Sequence, residues 1–495
     1  MWLDGLLNCT STGISIIAGI ICWYFLRRPK NFPPGPHGLP LVGYFPFLGK
    51  NTAETLRQMK KKYGSVMSVQ FGREDWVILN DYEAVNEALV NQSEKFSGRT
   101  SNFVFDMLTQ GRGIVTADYG PEWKVLHKFG SKTLRGFGVG RKGMEANIIE
   151  EMPLLIESMR ENDGKSLYMK FHVTMANIIC RIVFGSRFEY EDKKFLHMLQ
   201  MLQNLVSNNF NATMLKLVLL APILRYIPPF KGIVENAIEE NHTFKQYMRE
   251  IIQQHKSNFN ELDIRDLIDA FLNEMKTKND DDASFNESNL IQFIIDLIGA
   301  GSGTTSATLH WAILAFAHFS ECQEEIAKEI ENILGEEGVP SMEHKDEMPY
   351  TCAFIQELMR HRTLSPLTVL HKTNEKAILN GYTIPKNTTI APNIWAVHHD
   401  SRYFENPREF RPERFLDRDR KFIKSNHVIP FSIGSRHCLG EQLARMELFI
   451  FITGILQKLK VLPNPHKPLP SFHSGIDSLI TYEAPDFDVV FERRK

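Results

Sequence analysis

Apolar positions recur along most of this chain at the three- and four-residue spacing of helices, and only one short region alternates. Ser65 to Asn80, SVMSVQFGREDWVILN, alternates on both sides of Gly72-Arg73, the pattern of two short strands joined by a turn. The longest helical stretch runs from Asn289 to Glu321, about 50 Å if continuous. Glu441 to Lys460 is apolar on most faces through Leu443, Met446, Phe449, Ile450 and Ile452, as expected of a helix inside a large fold. Met214 to Phe230 is equally apolar but broken by Pro222, Pro228 and Pro229, so it fits either a core segment or a patch that dips into a membrane. Together these elements predict a mainly α protein with a small β region.

The N-terminus has a different pattern. Trp2 to Leu26 carries no basic residue and ends in Arg27-Arg28-Pro29-Lys30. Gly13 to Leu26 spans about 21 Å as a helix, and extension back to Leu3 reaches about 36 Å, enough for a bilayer core. A cleaved signal peptide carries its positive charge before the apolar region, whereas here the charge follows it. Residues 1–28 therefore read as a transmembrane signal anchor, and the positive-inside rule places the main body in the cytoplasm. Phe32-Pro33-Pro34-Gly35-Pro36, with Gly38, Pro40 and Gly43, makes residues 29–43 an extended connector that cannot be helical. No internal repeat or linker cuts what remains, so residues 44–495 read as one large helical unit. The short Asn279-Asp280-Asp281-Asp282 run fits a surface loop.

Composition narrows the function classes. A net charge of −2 offers no global basic field for nucleic acid. Cysteines at 9, 22, 180, 322, 352 and 438 have no paired spacing, which excludes a disulfide framework and a zinc motif and suits a reducing compartment. Buried apolar packing explains most of them. Cys438 stands apart.

Pro430 to Arg445, PFSIGSRHCLGEQLAR, places Phe431, Gly434, Arg436, Cys438 and Gly440 in the pattern F-x-x-G-x-R-x-C-x-G and leads into an apolar helix. A thiolate on haem iron needs backbone N–H groups aimed at sulfur, shielding from water, and a loop tight enough to approach the porphyrin. Gly434 and Gly440 permit that geometry. Phe431 can cover the sulfur, and a helix starting near Leu439 offers its positive end. Thiolate ligation pushes electron density onto iron and favours O–O cleavage. Arg436 is placed to pair with a haem propionate. Cys438 is thus the candidate ligand to the metal.

With these residues the sequence resembles the cytochrome P-450 superfamily, in particular its microsomal drug- and steroid-metabolising branch, over essentially the whole chain. Glu357-Leu358-Met359-Arg360 matches the family's E-x-x-R, 78 residues before Cys438, and Arg414, 24 before it, matches the third member of that ion-pair cluster. The segment from Asn393 through Trp395 to His398-His399-Asp400 sits where the family has scaffold for the cysteine loop. Trp123 and His127 resemble the W-x-x-x-R/H of a helix crossing the proximal haem face, and Arg99 and His371 match two further propionate-contacting positions. Lys124, Lys128, Lys132, Arg135, Arg141 and Lys142 form a local basic cluster. The resemblance implies an acidic flavoprotein NADPH reductase docked there, with cytochrome b5 as a second candidate donor.

Gly299-Ala300-Gly301-Ser302-Gly303-Thr304-Thr305 puts three glycines within five residues of the longest helix, each costing about 1 kcal/mol against alanine. Close approach of a ligand, or of another helix, is the reason expected. The segment looks like the family's A/G-G-x-D/E-T-T, in which an acid and an alcohol relay protons. Thr304 matches the alcohol, with Ser302 as a possible helper, but the acid position is Gly303. The implied reaction inserts one oxygen atom of O2 into a lipophilic substrate (steroid, fatty acid or xenobiotic) using NADPH electrons, in a haem b enzyme of the endoplasmic reticulum membrane. The cavity is expected to be lined from Ser101 to Thr116, near Phe210, from Ile295 to Thr305, from Leu364 to Leu370 and from Phe472 to Ile476. Two other readings stay open at this stage: a haem-thiolate isomerase or dehydratase acting on peroxides, which Gly303 favours, and a non-catalytic haem ligand sensor.

Overall fold

The computed structural model describes residues 28–494 other than 40–41, 73, 101–102, 140–141, 161–165, 207–213, 216, 219–221, 279–283 and 479. The expected anchor up to Arg27, Ser101, Arg141, the region around Phe210 and the Asn279–Asp282 loop lie outside the described residues. The helices that frame the site are α1 (Thr52–Tyr63), α2 (Pro121–Gly136), α3 (Lys142–Arg160), α4 (Leu167–Phe184), α5 (Phe230–Ser257), α6 (Glu287–His318), α7 (Ser320–Ile333), α8 (Pro349–His361) and α9 (Glu441–Lys458).

Helix α6 runs through the centre, capped by the Asn286 side chain, which accepts from the Asn289 N–H. The stretch expected to continue to Glu321 breaks at Phe319, whose backbone leaves the helical region, and α7 starts at the next residue. The glycines of α6 do not interrupt it. They answer to packing: a Cβ at Gly301 would lie 2.6 Å from Ile179 Cδ1 of α4. Among the described residues one helix, α4, is long and apolar enough to cross a membrane, and 78% of it is buried inside the fold. It is a core helix packed on α6.

The β region is small. Strands β1 (Val66–Phe71) and β2 (Glu74–Leu79) form the expected antiparallel hairpin, pairing Val66 with Leu79 and Phe71 with Glu74. With β3 (Gly98–Arg99), β4 (His371–Lys372) and β5 (Thr389–Pro392) they make a sheet of order β1-β2-β5-β4-β3. This arrangement brings Arg99 beside His371, although the two are far apart in sequence. The proline connector lies along the sheet: Ser68 donates from its N–H to Pro34 O and from its hydroxyl to Pro33 O, at 2.8 and 2.7 Å. Arg28 pins the connector's start to Asp75 at 3.1 Å and to the carbonyls of Gly35 and Pro36.

Candidate active site

The cysteine loop folds on itself before α9. The Cys438 N–H donates to Phe431 O and the His437 N–H to Gly434 O, both at 3.1 Å. Gly434 has φ of 85°, and a Cβ there would stand 1.9 Å from the Leu89 carbonyl oxygen, so glycine is required twice over. Gly440 caps α9, which begins at Glu441, where the apolar helix was expected to start, and ends at Lys458, two residues before the expected Lys460. The Arg445 guanidinium lies 5.0 Å from the Phe431 ring centroid and holds that ring against the loop. Cys438 keeps accessible surface although the atoms packed around its thiol desolvate it, so its sulfur sits in a recess; its chain neighbours His437 and Leu439 are half-buried. Burial raises the thiol's pKa, and the N–H groups of Gly440 and Glu441 act against that by bonding the sulfur. That is the donor arrangement a thiolate ligand needs.

Beside the loop, four cationic or potentially cationic side chains crowd together. Arg436 donates to the carbonyls of Ser97, Ile114 and Ala117, and Arg99 to those of Val115, Val369 and Leu370. The Arg436 guanidinium sits 3.9 Å from the Trp123 ring, which in turn stacks on His127 at 4.7 Å. Trp123 Nε1 donates to Ile114 O at 3.0 Å, and His371 bonds Phe96 O through Nδ1. Burial is the main reason Arg436 falls to about 10 and Arg99, His127 and His371 fall below their ordinary ranges, and the neighbouring guanidinium groups push Arg99, His127 and His371 further down. Among the described residues, the acid whose charge acts on both Arg99 and Arg436 is Asp118, already bound to Lys372 at 2.7 Å. His127 Nε2 is buried without a partner. Buried cations of this density call for anions. The two propionates of haem would supply that charge, so the residues present fit the group: Arg99, Arg436, His127 and His371 would face the propionates and Cys438 the iron, whereas the expected Trp123 contact does not fit, because its single N–H is given to Ile114 O.

On α6, Ala300 and Thr304 are exposed in the middle of a buried helix, one turn apart, and so line an internal space. The Thr304 hydroxyl donates to Ala300 O at 2.7 Å. Ser302 points away: it is fully buried, donates to Ile298 O at 2.7 Å and meets His172 Nε2 at 3.0 Å. The expectation that Ser302 helps Thr304 order water does not fit this placement. Gly130 of α2 shows how closely the pieces meet, since a Cβ there would stand 2.8 Å from Phe293 of α6 and 3.0 Å from Leu439 of the cysteine loop.

Supporting contacts extend outward. Glu357 and Arg360 are fully buried and paired at 2.6 Å, with Arg414 joining at 3.1 Å. His398 links Thr363 Oγ1 at 2.7 Å to the Ile429 N–H at 2.8 Å, tying the residues just after α8 to the start of the cysteine loop. Asp296, which sequence reasoning passed over, accepts from the N–H groups of Ile114 and Val115 and fixes the loop that carries the carbonyls bound by Arg436 and Arg99. A lone carboxylate in an apolar helix was the available signal. Burial raises it to about 6, with those donors opposing.

A family model described as cytochrome P450 matches residues 33–487. The chain belongs to that family. Curated relatives include cytochrome P450 2U1 of Bos taurus, 36% identical over 99% of this chain and 95% of its own length. Cytochrome P450 2B4 of Oryctolagus cuniculus is 35% identical over 90% and 92%, and cytochrome P450 2J3 of Rattus norvegicus 38% over 90% and 88%. This cytochrome P450 is accordingly a haem-iron monooxygenase of the mainly α P450 fold, supplied with electrons from NADPH by a redox partner. Its helix α2 turns Lys124, Lys128, Lys132 and Arg135 to solvent, with Trp123, Leu126 and Leu134 inward. Lys124 pairs with Glu94 at 3.3 Å.

Proposed function

We propose that this protein hydroxylates lipophilic small molecules at the membrane of the endoplasmic reticulum, with Cys438 as the thiolate ligand. The observation that carries the reading is a cysteine in a recess of the fold, with N–H groups on its sulfur and two buried guanidinium groups near it whose acid neighbour, Asp118, is shared with Lys372. Haem, when bound, supplies the iron at which O2 is reduced and from which oxygen is transferred. The protein's own residues do the rest. Gly440 and Glu441 hold negative charge on sulfur, Arg99 and Arg436 anchor the propionates, and Thr304 offers its oxygen to the cavity. Partly open apolar residues such as Ile114, Leu297, Val369 and Leu370 suit an apolar substrate.

The electron donor in this reading is a flavoprotein reductase, with cytochrome b5 as a second donor, docked on the basic face of α2. Residues 1–28 anchor the chain, and the cytoplasmic body rests on lipid through exposed Leu39, Val42 and Phe47 and through Ile223, Tyr226 and Ile227. The test is turnover in membranes with added reductase under labelled dioxygen. One labelled oxygen atom in the product, dependent on NADPH, supports the reading. Product from an organic hydroperoxide and none from O2 with NADPH replaces it with the isomerase reading that Gly303 favours.

A further inference from the structure

Opposite Gly303, where the motif leads one to expect an acid, stands a phenol. A Cβ built at Gly303 meets, beyond its own helix, only the Tyr168 hydroxyl, at 3.6 Å. A glutamate at 303 would therefore carry its carboxyl into the space next to that hydroxyl. Tyr168 is the second residue of α4 and is 8% exposed. Its hydroxyl makes no hydrogen bond among the described residues. Leaving such a group unpaired costs about 1–3 kcal/mol, and buried waters in native proteins serve such groups. The rings of His172 and His310 lie 5.7 and 6.1 Å from the Tyr168 ring. Burial holds both imidazoles neutral, at about 4, so neither brings a charge to the hydroxyl.

The residues of the oxygen-activation segment lack a free donor. Thr304 has one hydroxyl proton and gives it to Ala300 O, and Ser302 gives its own to Ile298 O. Thr304 thus shows only lone pairs to the cavity. Tyr168 keeps its proton at neutral pH, because burial, and then Glu483, raise its pKa.

We propose that Tyr168 is the positioning residue for proton supply here: across the gap at Gly303 its hydroxyl donates to a water that bridges to Thr304, in place of the acid side chain. The water accepts from Tyr168 and donates to Thr304 Oγ1, and its second proton faces the cavity. When that proton leaves, the phenol's proton moves onto the water, and the phenol takes one from solvent on the Glu483 side. Tyr168 ends each cycle unchanged. The proposal rests on the monooxygenase reading above.

The test uses four holoenzymes: the natural protein, Tyr168→Phe, Gly303→Glu and the double variant. Each is first checked for the thiolate-type ferrous–CO band. If the natural protein lacks it, the haem-thiolate reading fails and this proposal falls with it. With the band present, Tyr168→Phe should lower product formed per NADPH severalfold and raise peroxide release in step. Gly303→Glu should restore the ratio in the Tyr168→Phe background. A second readout needs no turnover. The shift in denaturant midpoint caused by Gly303→Glu should differ between the Tyr168 and Tyr168→Phe backgrounds, because only the hydroxyl can bond the new carboxyl. Should Tyr168→Phe fail to fold, 3-fluorotyrosine at 168 keeps the shape and lowers the phenol pKa, and it should move the pH profile of coupling to lower pH. Additive midpoint shifts, unchanged coupling in Tyr168→Phe, or an unmoved pH profile would each overturn the proposal.

Discussion

Glutamine at 357 keeps the shape of a buried side chain and removes its charge. Glu357 accepts from Arg360 Nε and Nη2 at 2.6 and 2.8 Å, from Arg414 Nε at 3.1 Å and from the Arg411 N–H at 2.8 Å. The Glu357 and Arg360 side chains are 0% exposed and that of Arg414 5%, so water cannot replace the lost carboxylate. A carboxamide has one acceptor oxygen, and its NH2 group would face a guanidinium donor. Breaking a buried pair costs about 3–5 kcal/mol. A loss of ~4 kcal/mol is nearly a thousandfold in the folding equilibrium, against a total stability of roughly 5–15 kcal/mol. Arg360 also bonds the carbonyls of His398 and Pro407, so the damage reaches the scaffold of the cysteine loop. The assay is the urea midpoint of purified protein together with the fraction of expressed chain that carries the thiolate-type ferrous–CO band. Glu357→Gln should lower both sharply. A midpoint and a band fraction equal to those of the natural protein would refute the reasoning that this cluster is a buried, mutually dependent set.

Gly434→Ala should abolish haem loading while leaving the helical circular dichroism largely intact, because its methyl group meets the Leu89 carbonyl at 1.9 Å in a left-handed turn; normal loading would contradict the loop geometry. Burial holds the Glu447 carboxyl at about 8 against a pull downward from Thr305, whereas the unfolded group titrates near ~4.3, so the folded state carries an extra proton between those values. Stability from this group is therefore lost as pH rises from about 5 to 8, by on the order of 1.4 kcal/mol per unit; Glu447→Gln should gain on the natural protein over that window, and parallel pH curves would refute the assignment. Reversing Lys128 and Arg135 to Glu should slow the first electron transfer from reductase most at low ionic strength and leave substrate-induced spectral shifts unchanged; equal reduction rates would remove α2 as the docking face.

The sequence shows most clearly what is local or what charge forces into pairs. The β1–β2 hairpin follows from alternation around a turn, and the cysteine loop from glycines at fixed offsets. One-turn spacing lets Glu357 and Arg360 pair, but it was the family resemblance that pointed to Arg414 as their third member. Helix-to-helix register is not written that way. Nothing in α4 taken alone says that Tyr168 faces Gly303, or that Ser302 turns to His172 and away from the cavity. Those facts depend on how α4 crosses α6, which the small residue at 301 permits by letting Ile179 come close. The same holds for Arg99 and His371, which only sheet order brings together. Asp296 was visible as a lone acid in an apolar helix, but its partners, two N–H groups in a distant loop, were not.

The central claim is that Cys438 is the axial thiolate of a haem enzyme. The direct measurement is the ferrous–CO difference spectrum of the natural protein and of Cys438→Ser, each with haem content quantified. The natural protein should show the red-shifted Soret band of a thiolate-ligated complex, and the serine variant should lose it even where haem is retained through Arg99 and Arg436. A serine variant that binds haem and keeps the red-shifted band would contradict the account.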